Sequence, residues 1–343
     1  EILVVSCTRS PRLASMKFSE FFEIWLHERY YKNGANIGKK GDFYTSVSVG
    51  WLFGAAHANY FLKCLDAKEL SAKCSIVEIG ANSGDMLADF VQGVFTLRPE
   101  ILGELNFAIV EPHEILREIQ LQTFKARFGD EVKLTHFKNF DECALDEAFI
   151  ISNELFDSFA CEVIEGENML FINENHKPFW SGADDEILKI CTGLGLEKGE
   201  ICLKFTNFAR QISKAFKRVK FLSFDYGEWG VKDDFSLRLY KNHQVFNFFE
   251  ISDLSEYFGV SDMTYDVDFS HLSIAFESAG FKTAKFKRQN LALVQDFRID
   301  EILALTLEMG GEKAYQNAAK QMKFLSSAEF LGERFKFIEF TKF

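Results

Sequence analysis

Along this chain the spacing of apolar residues switches between three-to-four and two, and the switches mark its elements. After Met16, the residues Phe18, Phe21, Phe22, Trp25 and Leu26 fall on one face of an amphipathic helix. A loop of small and polar residues follows, from Asn33-Gly34 through Gly41-Asp42-Phe43-Tyr44-Thr45-Ser46, and then a helix over about 49–65. Residues 74–79 are a short β-branched run. Leu87, Phe90, Val91 and Val94 give 85–97 helical periodicity. Residues 105–110 read as a strand, and 113–128 as a helix through Ile115, Leu116, Ile119 and Phe124. Residues 132–137 and 148–152 are strands again.

The order β-α-β-α-β with a further strand predicts an α/β fold, a parallel sheet covered on both faces. Right-handed crossovers make such a sheet doubly wound, or Rossmann-like. Between about 158 and 205 the pattern is irregular, with strand-like pieces at 161–165 and 169–173, and reads as an inserted smaller subdomain. Within and after it, 201–203 can form a strand, 207–217 a helix and 219–224 a strong strand. A second irregular stretch covers about 228–266. Residues 269–279 have helical spacing, while 281–287 and 291–297 resemble paired final strands. The core is thus expected over 71–299, after a helical segment and loop at 16–70 and before a C-terminal helical segment at 300–343. Residues 1–15 read as an appended leader ahead of a start at Met16.

Composition narrows the class. The 343 residues are 47% hydrophobic, enough for a large core, and 39 Phe argue against disorder. With only 4 Pro and no repeat or low-complexity tract, nothing divides the chain cleanly. A formal charge of −12 disfavours nucleic acid as a partner and mildly favours a cationic one. Cys7, Cys64, Cys74, Cys143, Cys161, Cys191 and Cys202 form no C-x-x-C pair, and no His stands at zinc-ligand spacing beside them, so no metal is expected. Scattered thiols of this kind suggest a reducing, cytoplasmic setting. The uncharged run between Asp42 and Lys63 is long enough to span a bilayer. It carries Thr45, Ser46, Ser48, Gly50, His57 and Asn59, however, and suits a buried helix with its preceding loop rather than membrane insertion.

The candidate chemistry begins at Val77-Glu78-Ile79-Gly80-Ala81-Asn82-Ser83-Gly84-Asp85, where the first core strand meets the first core helix. Ligands of open α/β sheets bind at this edge. A dinucleotide fingerprint would need glycine at 80, 82 and 85, and only Gly80 complies. The pattern acidic-x-G-x-G-x-G of S-adenosylmethionine (SAM) sites is met by Glu78, Gly80 and Gly84. Asn82 stands at its middle glycine, and Asn is the residue that next best tolerates left-handed backbone. SAM is therefore the expected cofactor, and a sheet ending in paired strands fits a methyltransferase better than a dehydrogenase. Glu111, at the end of Ile109-Val110-Glu111-Pro112, can accept both ribose hydroxyl protons. Asn139 and Phe140 lie on the loop after the third strand and suit the adenine.

Together these motifs resemble the MidA-like family of SAM-dependent methyltransferases, which includes the mitochondrial arginine methyltransferase needed for respiratory complex I assembly. The resemblance runs from about residue 31 to 299. The family's G-D-F-x-T-S loop is met by Gly41, Asp42, Phe43, Thr45 and Ser46, and its V-E-x-S-x-x-L-x-x-x-Q by Val110, Glu111, Leu116 and Gln120. N-E-x-x-D appears as Asn153, Glu154 and Asp157, and D-Y-G as Asp225-Tyr226-Gly227. L-R-x-Y-x-x-H is complete in Leu237, Arg238, Tyr240 and His243, and D-x-T-x-x-V-D-F in Asp262, Thr264, Val267, Asp268 and Phe269. Departures are Ala81 for a Pro, Asp266 for a His, Ser158-Phe159-Ala160 for A-L-P, and Arg288-Gln289-Asn290 for T-Q-G.

The resemblance implies a class I methyltransferase fold, SAM as cofactor and a protein arginine as acceptor, carried by a respiratory complex I subunit, with a homodimer left open. It implies a lid over cofactor and substrate at Gly41, Asp42, Thr45 and Ser46. Methyl transfer needs alignment and a dry site, and a guanidinium acceptor needs carboxylates to orient it. Glu154 and Asp157, three apart, share a face if the chain turns helically after Asn153, and with Asn153 they are the catalytic candidates. The alternative is that Asn153 and Asp157 merely cap the next helix. Asp225, Tyr226 and His243 are candidates for the acceptor pocket. A non-catalytic assembly factor that keeps the fold is the competing reading, motivated by Ala81 and Asn82.

Overall fold

The computed structural model describes residues 15–33 and 45–343; residues 1–14, and Gly41 and Asp42 of the loop, lie outside the described residues. The chain opens with β1 (Ser15–Lys17), α1 (Phe18–Glu23), a wider π-helical turn over Ile24–Tyr30 and a 3-10 turn over Tyr31–Asn33. Then come α2 (Ser46–Val49) and α3 (Leu52–Asp66). The first βα units are β2 (Ser75–Ile79), α4 (Asp85–Leu97), β3 (Asn106–Val110), α5 (Glu114–Phe128) and β4 (Leu134–Phe137), followed by β5 (Leu145–Asn153). Next are β6 (Glu162–Glu165), β7 (Asn168–Asn173), β8 (Pro178–Gly182), α6 (Asp185–Leu194) and β9 (Lys198–Ile201). α7 (Phe205–Ala215) leads into the long β10 (Phe216–Glu228), and β11 (Arg238–Lys241), β12 (Gln244–Asn247), β13 (Asp262–Thr264) and β14 (Val267–Asp268) follow. The chain ends with α8 (Phe269–Ser278), β15 (Lys282–Arg288), α9 (Gln289–Gln295), α10 (Ile299–Ser326) and β16 (Phe335–Lys342).

The main sheet runs β15-β16-β10-β5-β2-β3-β4, with β14 added beside the end of β10. β4, β3, β2, β5 and β10 are parallel, and β16 enters antiparallel between β10 and β15. Strand order reverses at β2, which has β3 on one side and β5 on the other, so the ligand crevice of a doubly wound sheet opens at its carboxyl end. Central strands are buried on both faces: Val77 and Ile150 point into one core, Ile76 and Ile151 into the other. On the second face α3 and α4 approach closely, because a Cβ on Gly54 would lie 2.5 Å from Cβ of Asp89. The Phe-rich N-terminal helix packs wholly into the first core, with Phe18, Phe21, Phe22, Trp25 and Leu26 all buried. Each such side chain contributes about 1.5–3 kcal/mol by burial, enough to pin the helix to the body.

Several expectations are corrected. Met16 lies in β1, not in a helix, and pairs with Ile172 of the insertion. The insertion is ordered, a five-stranded sheet of β1, β7, β6, β9 and β8; the second irregular stretch holds a three-stranded sheet, β12-β11-β13. Residues 291–297 are not a strand. Gln289, Ala292 and Leu293 are buried while Leu291 and Val294 are exposed, which is helical spacing hidden in an apolar run. The partner of β15 is instead β16, so the segment 300–343 is not all helical. Its charges disguised it: Lys336 and Glu339 are buried inside the sheet, offset by Glu228 at 2.8 Å and Lys220 at 3.1 Å. No helix among the described residues is long and apolar enough to cross a membrane.

Candidate active site

At the end of β2 the backbone takes positive φ three times in five residues, 72° at Gly80, 45° at Asn82 and 80° at Gly84. Two of these positions are glycine, and Asn82 adopts the third because its short polar side chain tolerates it. A Cβ on Gly80 would also lie 3.1 Å from Leu155 Cδ1. The turn is held from outside by the buried Gln120, whose Nε2 donates to the Asn82 carbonyl at 2.8 Å; its Oε1 bonds the His136 ring at 2.8 Å. Glu78 accepts the Leu87 N–H at 3.1 Å, and burial holds its carboxyl well above the usual range. This turn opens on a cavity of about 910 Å³ at the carboxyl edge of the sheet.

Beside the turn, Glu111 follows β3. It accepts the His113 N–H at 2.9 Å, and burial pushes its carboxyl up to about 7. Asn139 and Phe140 line the next stretch of wall; Asn139 Oδ1 caps the turn by accepting the N–H of Asp141 and of Glu142. Thr45 lines the cavity as well and caps α2 through Ser48 N–H at 3.0 Å. Ser46 does not line it. Its hydroxyl is buried and donates to Gln289 at 3.1 Å, anchoring the loop to α9. Gly84 likewise stays outside the lining and starts α4.

The other end of the cavity is acidic. β5 ends at Asn153, and Glu154 follows with φ 51°. Its carboxylate accepts Asn153 Nδ2 at 2.8 Å and the Tyr226 hydroxyl at 3.1 Å. The helical turn comes later than the sequence suggests, as a 3-10 turn over Phe156–Ser158, yet Glu154 and Asp157 both line the cavity. The cap of that turn is neither Asn153 nor Asp157 but Asp225. One oxygen of Asp225 accepts the N–H groups of Leu155, Phe156 and Asp157 at 3.1, 2.7 and 3.3 Å, and the other that of Tyr226 at 2.9 Å. Burial, with the neighbouring carboxylates, lifts Glu154 to about 8 and Asp157 well above its ordinary value. Burial also raises Asp225, to about 7, against the pull of its backbone donors.

Of the three candidates for the acceptor pocket, none lines the cavity itself. Asp225 is fully buried and consumed by the turn, and Tyr226 stands behind Glu154 as its donor. His243 is exposed at the tip of the β11–β12 hairpin, away from the lining residues. Motif membership alone suggested all three, and it does not distinguish a wall from its support.

The sequence reading missed the contribution of the N-terminal helix. His27 and Tyr31 line the cavity, His27 bonding the Ser158 carbonyl at 3.3 Å and stacking in parallel with His113 at 6.4 Å. The widened turn brings them in, with Tyr31 N–H bonding Leu26 five residues back. Burial lowers the pKa of both imidazoles. Asp262 and Thr264 of β13 complete the wall. Their presence in a motif was visible in the sequence, but nothing there placed them opposite β5. The departure at Asp266 also finds its reason: it binds Arg238 at 2.6 Å and Lys232 at 3.0 Å, holding the buried Arg238 in an ion pair.

The residues present fit SAM. The left-handed turn, the buried Glu111 and the aromatic Phe140 surround one cavity, and Asn153 Oδ1 is buried there without a hydrogen-bond partner among the described residues. Comparison with known proteins agrees. A family model described as "Putative S-adenosyl-L-methionine-dependent methyltransferase" matches residues 56–287. The chain is 22% identical over 350 residues to "Protein arginine methyltransferase NDUFAF7, mitochondrial" of Rattus norvegicus, covering 90% of this chain and 76% of that one. For the Homo sapiens protein of the same name the identity is 22% over 344 residues, covering 90% and 75%. A Burkholderia thailandensis structure solved with S-adenosyl-homocysteine superposes with a TM-score of 0.79 at 22% identity, covering 95% of this chain and 88% of that one. A native structure from the same organism gives 0.76 at 21% identity, covering 95% and 87%; at such identities both speak for the fold.

Proposed function

We propose that this chain, which belongs to the MidA-like family of SAM-dependent methyltransferases and takes its methyl group from that cofactor, acts on an arginine side chain of a protein. The observation that carries this reading is the acidic end of the cavity, where Glu154 and Asp157 line one wall with raised pKa values. Buried carboxyls facing a cavity are suited to a cation, whose arrival favours their ionised form. A guanidinium also offers paired N–H donors that match a carboxylate edge.

SAM supplies a methyl carbon bonded to a positively charged sulfur; transfer breaks that C–S bond, leaves its electron pair on sulfur and forms one C–N bond. On this reading Glu154, held by Asn153 and Tyr226, pairs with the guanidinium and draws its positive charge away from the reacting nitrogen. That nitrogen must lose a proton, and Asp157 accepts it. A carboxyl whose pKa is raised by burial and neighbouring carboxylates is a better proton acceptor than an ordinary one. The remaining walls align the two partners and keep water out.

The names of the relatives at 22% identity support arginine as the acceptor, and the family resemblance extends the proposal to a respiratory complex I subunit as the protein that carries it. The test is to incubate the purified protein with radiolabelled SAM and a cell extract, then identify the labelled protein and residue. Label on arginine is expected. Label confined to another residue type, or none from protein that binds SAM, overturns the reading. The non-catalytic alternative requires a damaged cofactor turn, whereas Asn82 keeps left-handed geometry and Ala81 is buried beside it.

A further inference from the structure

The cavity's acidic end has a second wall, and it comes from a different part of the chain. Among the described residues β13 pairs only with β11, in the small three-stranded sheet, yet Asp262 and Thr264 line the same cavity as Glu154 and Asp157. The alternation of a strand puts these two on one face, while Met263 between them points into the apolar core. Both are deeply buried, Asp262 at 1% and Thr264 at 3% exposure.

Two elements fix this strand against the N-terminal helix. Trp25 Nε1 donates to the Ser261 carbonyl at 2.7 Å, and the Tyr31 hydroxyl donates to Asp262 Oδ1 at 3.4 Å. Thr264 Oγ1, by contrast, has no hydrogen-bond partner among the described residues. A buried hydroxyl in that state is costly unless a ligand satisfies it. It belongs to a residue that lines the same cavity as Asp262, Glu154 and Asp157.

Resting on the arginine reading above, we propose that Asp262 and Thr264 receive the guanidinium edge that Glu154 leaves free, and so select arginine over lysine. A guanidinium is planar and directs five N–H donors outward in a fixed fork, so it can engage acceptors on two walls at once. An ammonium is a compact point charge with three donors, and it satisfies one wall without reaching the other. A site that hydrogen-bonds a group on both sides rejects an analogue that leaves one side unpaired.

The experiment uses the full chain saturated with S-adenosyl-homocysteine, with butylguanidinium and pentylammonium as side-chain mimics, followed by calorimetry at matched ionic strength. The unaltered protein is expected to bind butylguanidinium about tenfold or more tightly than pentylammonium. Asp262→Asn should weaken butylguanidinium roughly tenfold, and Thr264→Val about threefold, with pentylammonium and S-adenosyl-homocysteine affinities little changed. Thr264→Val removes one hydroxyl at constant shape and carries the test if Asp262→Asn loses its cofactor affinity. Variants that hold S-adenosyl-homocysteine and bind butylguanidinium as well as the parent overturn this inference and leave the arginine reading standing. A parent protein with no preference for butylguanidinium overturns both.

Discussion

The two ends of the cavity are built in opposite ways. The cofactor end is mostly backbone: a turn of glycines and one Asn, closed by residues that follow β2, β3 and β4 within some sixty positions of one another. The acceptor end is side chains: its carboxylates follow β5 or lie on β13, Asp225 and Tyr226 of β10 support them from behind, and the N-terminal helix packs against them. Their electrostatics differ accordingly. Glu111 lines the cavity with its pKa raised to about 7 chiefly by burial, whereas Glu154 and Asp157 are each raised by burial and further by the carboxylates of Asp225 and Asp262. A backbone site tolerates changes of side chain as long as φ and space are kept. A clustered-carboxylate site tolerates changes of backbone context far less, because each charge depends on where the others are held.

The sharpest way to break this contrast is Asp157→Asn, which keeps the shape of the acceptor end and removes its proton acceptor. It should lower turnover by about a hundredfold or more while SAM affinity by calorimetry stays within about twofold. Comparable losses of turnover and SAM affinity would mean the two ends are not separable. Next in size is Gly80→Val. With φ at 72° and Leu155 3.1 Å from the added Cβ, the turn must move. SAM affinity should fall roughly ten- to a hundredfold, from a strain of about 1–3 kcal/mol, and unaltered binding would show that the turn does not hold the cofactor.

Glu111→Gln probes a titrating group at the cofactor end. Its folded pKa is raised, so the carboxylate forms only as pH climbs through about 7, and the ionised form is the one that accepts ribose hydroxyls. SAM affinity should therefore rise between pH 6 and 8, and the variant should bind about tenfold more weakly at pH 8 with that rise abolished. A pH dependence that survives in the variant would assign it to another group. The smallest effect is expected of Asn82→Gly. Asn already occupies φ 45°, so relief of backbone strain should change SAM affinity by less than about threefold. A larger gain would mean that Asn82 had impaired the turn after all.

Legibility followed the same division. Glu78, Gly80 and Asn82 could be read as a cofactor turn because strand, turn and helix are contiguous, and a left-handed residue announces itself by its type. Gly84 was read in the same stroke, although its task is to start a helix. Glu154 and Asp157 were legible as a motif but not their spacing in space, since the turn begins two residues later than helical counting suggests. The motifs of Asp225 and Tyr226 suggest pocket walls where the structure has supports, and His243 lies elsewhere. Strand β16 escaped because Lys336 and Glu339 interrupt its apolar run, and their burial is compensated by Glu228 and Lys220 of β10 and by Tyr60 of α3.

Hydrophobic periodicity and residue type alone determined the doubly wound core, the edge at which a ligand binds and the SAM-like turn. These depend on local geometry and on burial patterns that repeat along the chain. Which carboxylates face the cavity, which of them merely cap a turn, and that β13 and the N-terminal helix close the acceptor end were decided by tertiary structure. Those facts depend on contacts between residues 70 to more than 230 positions apart, such as Leu155 with Asp225 and Tyr31 with Asp262, for which the sequence carries no local signal.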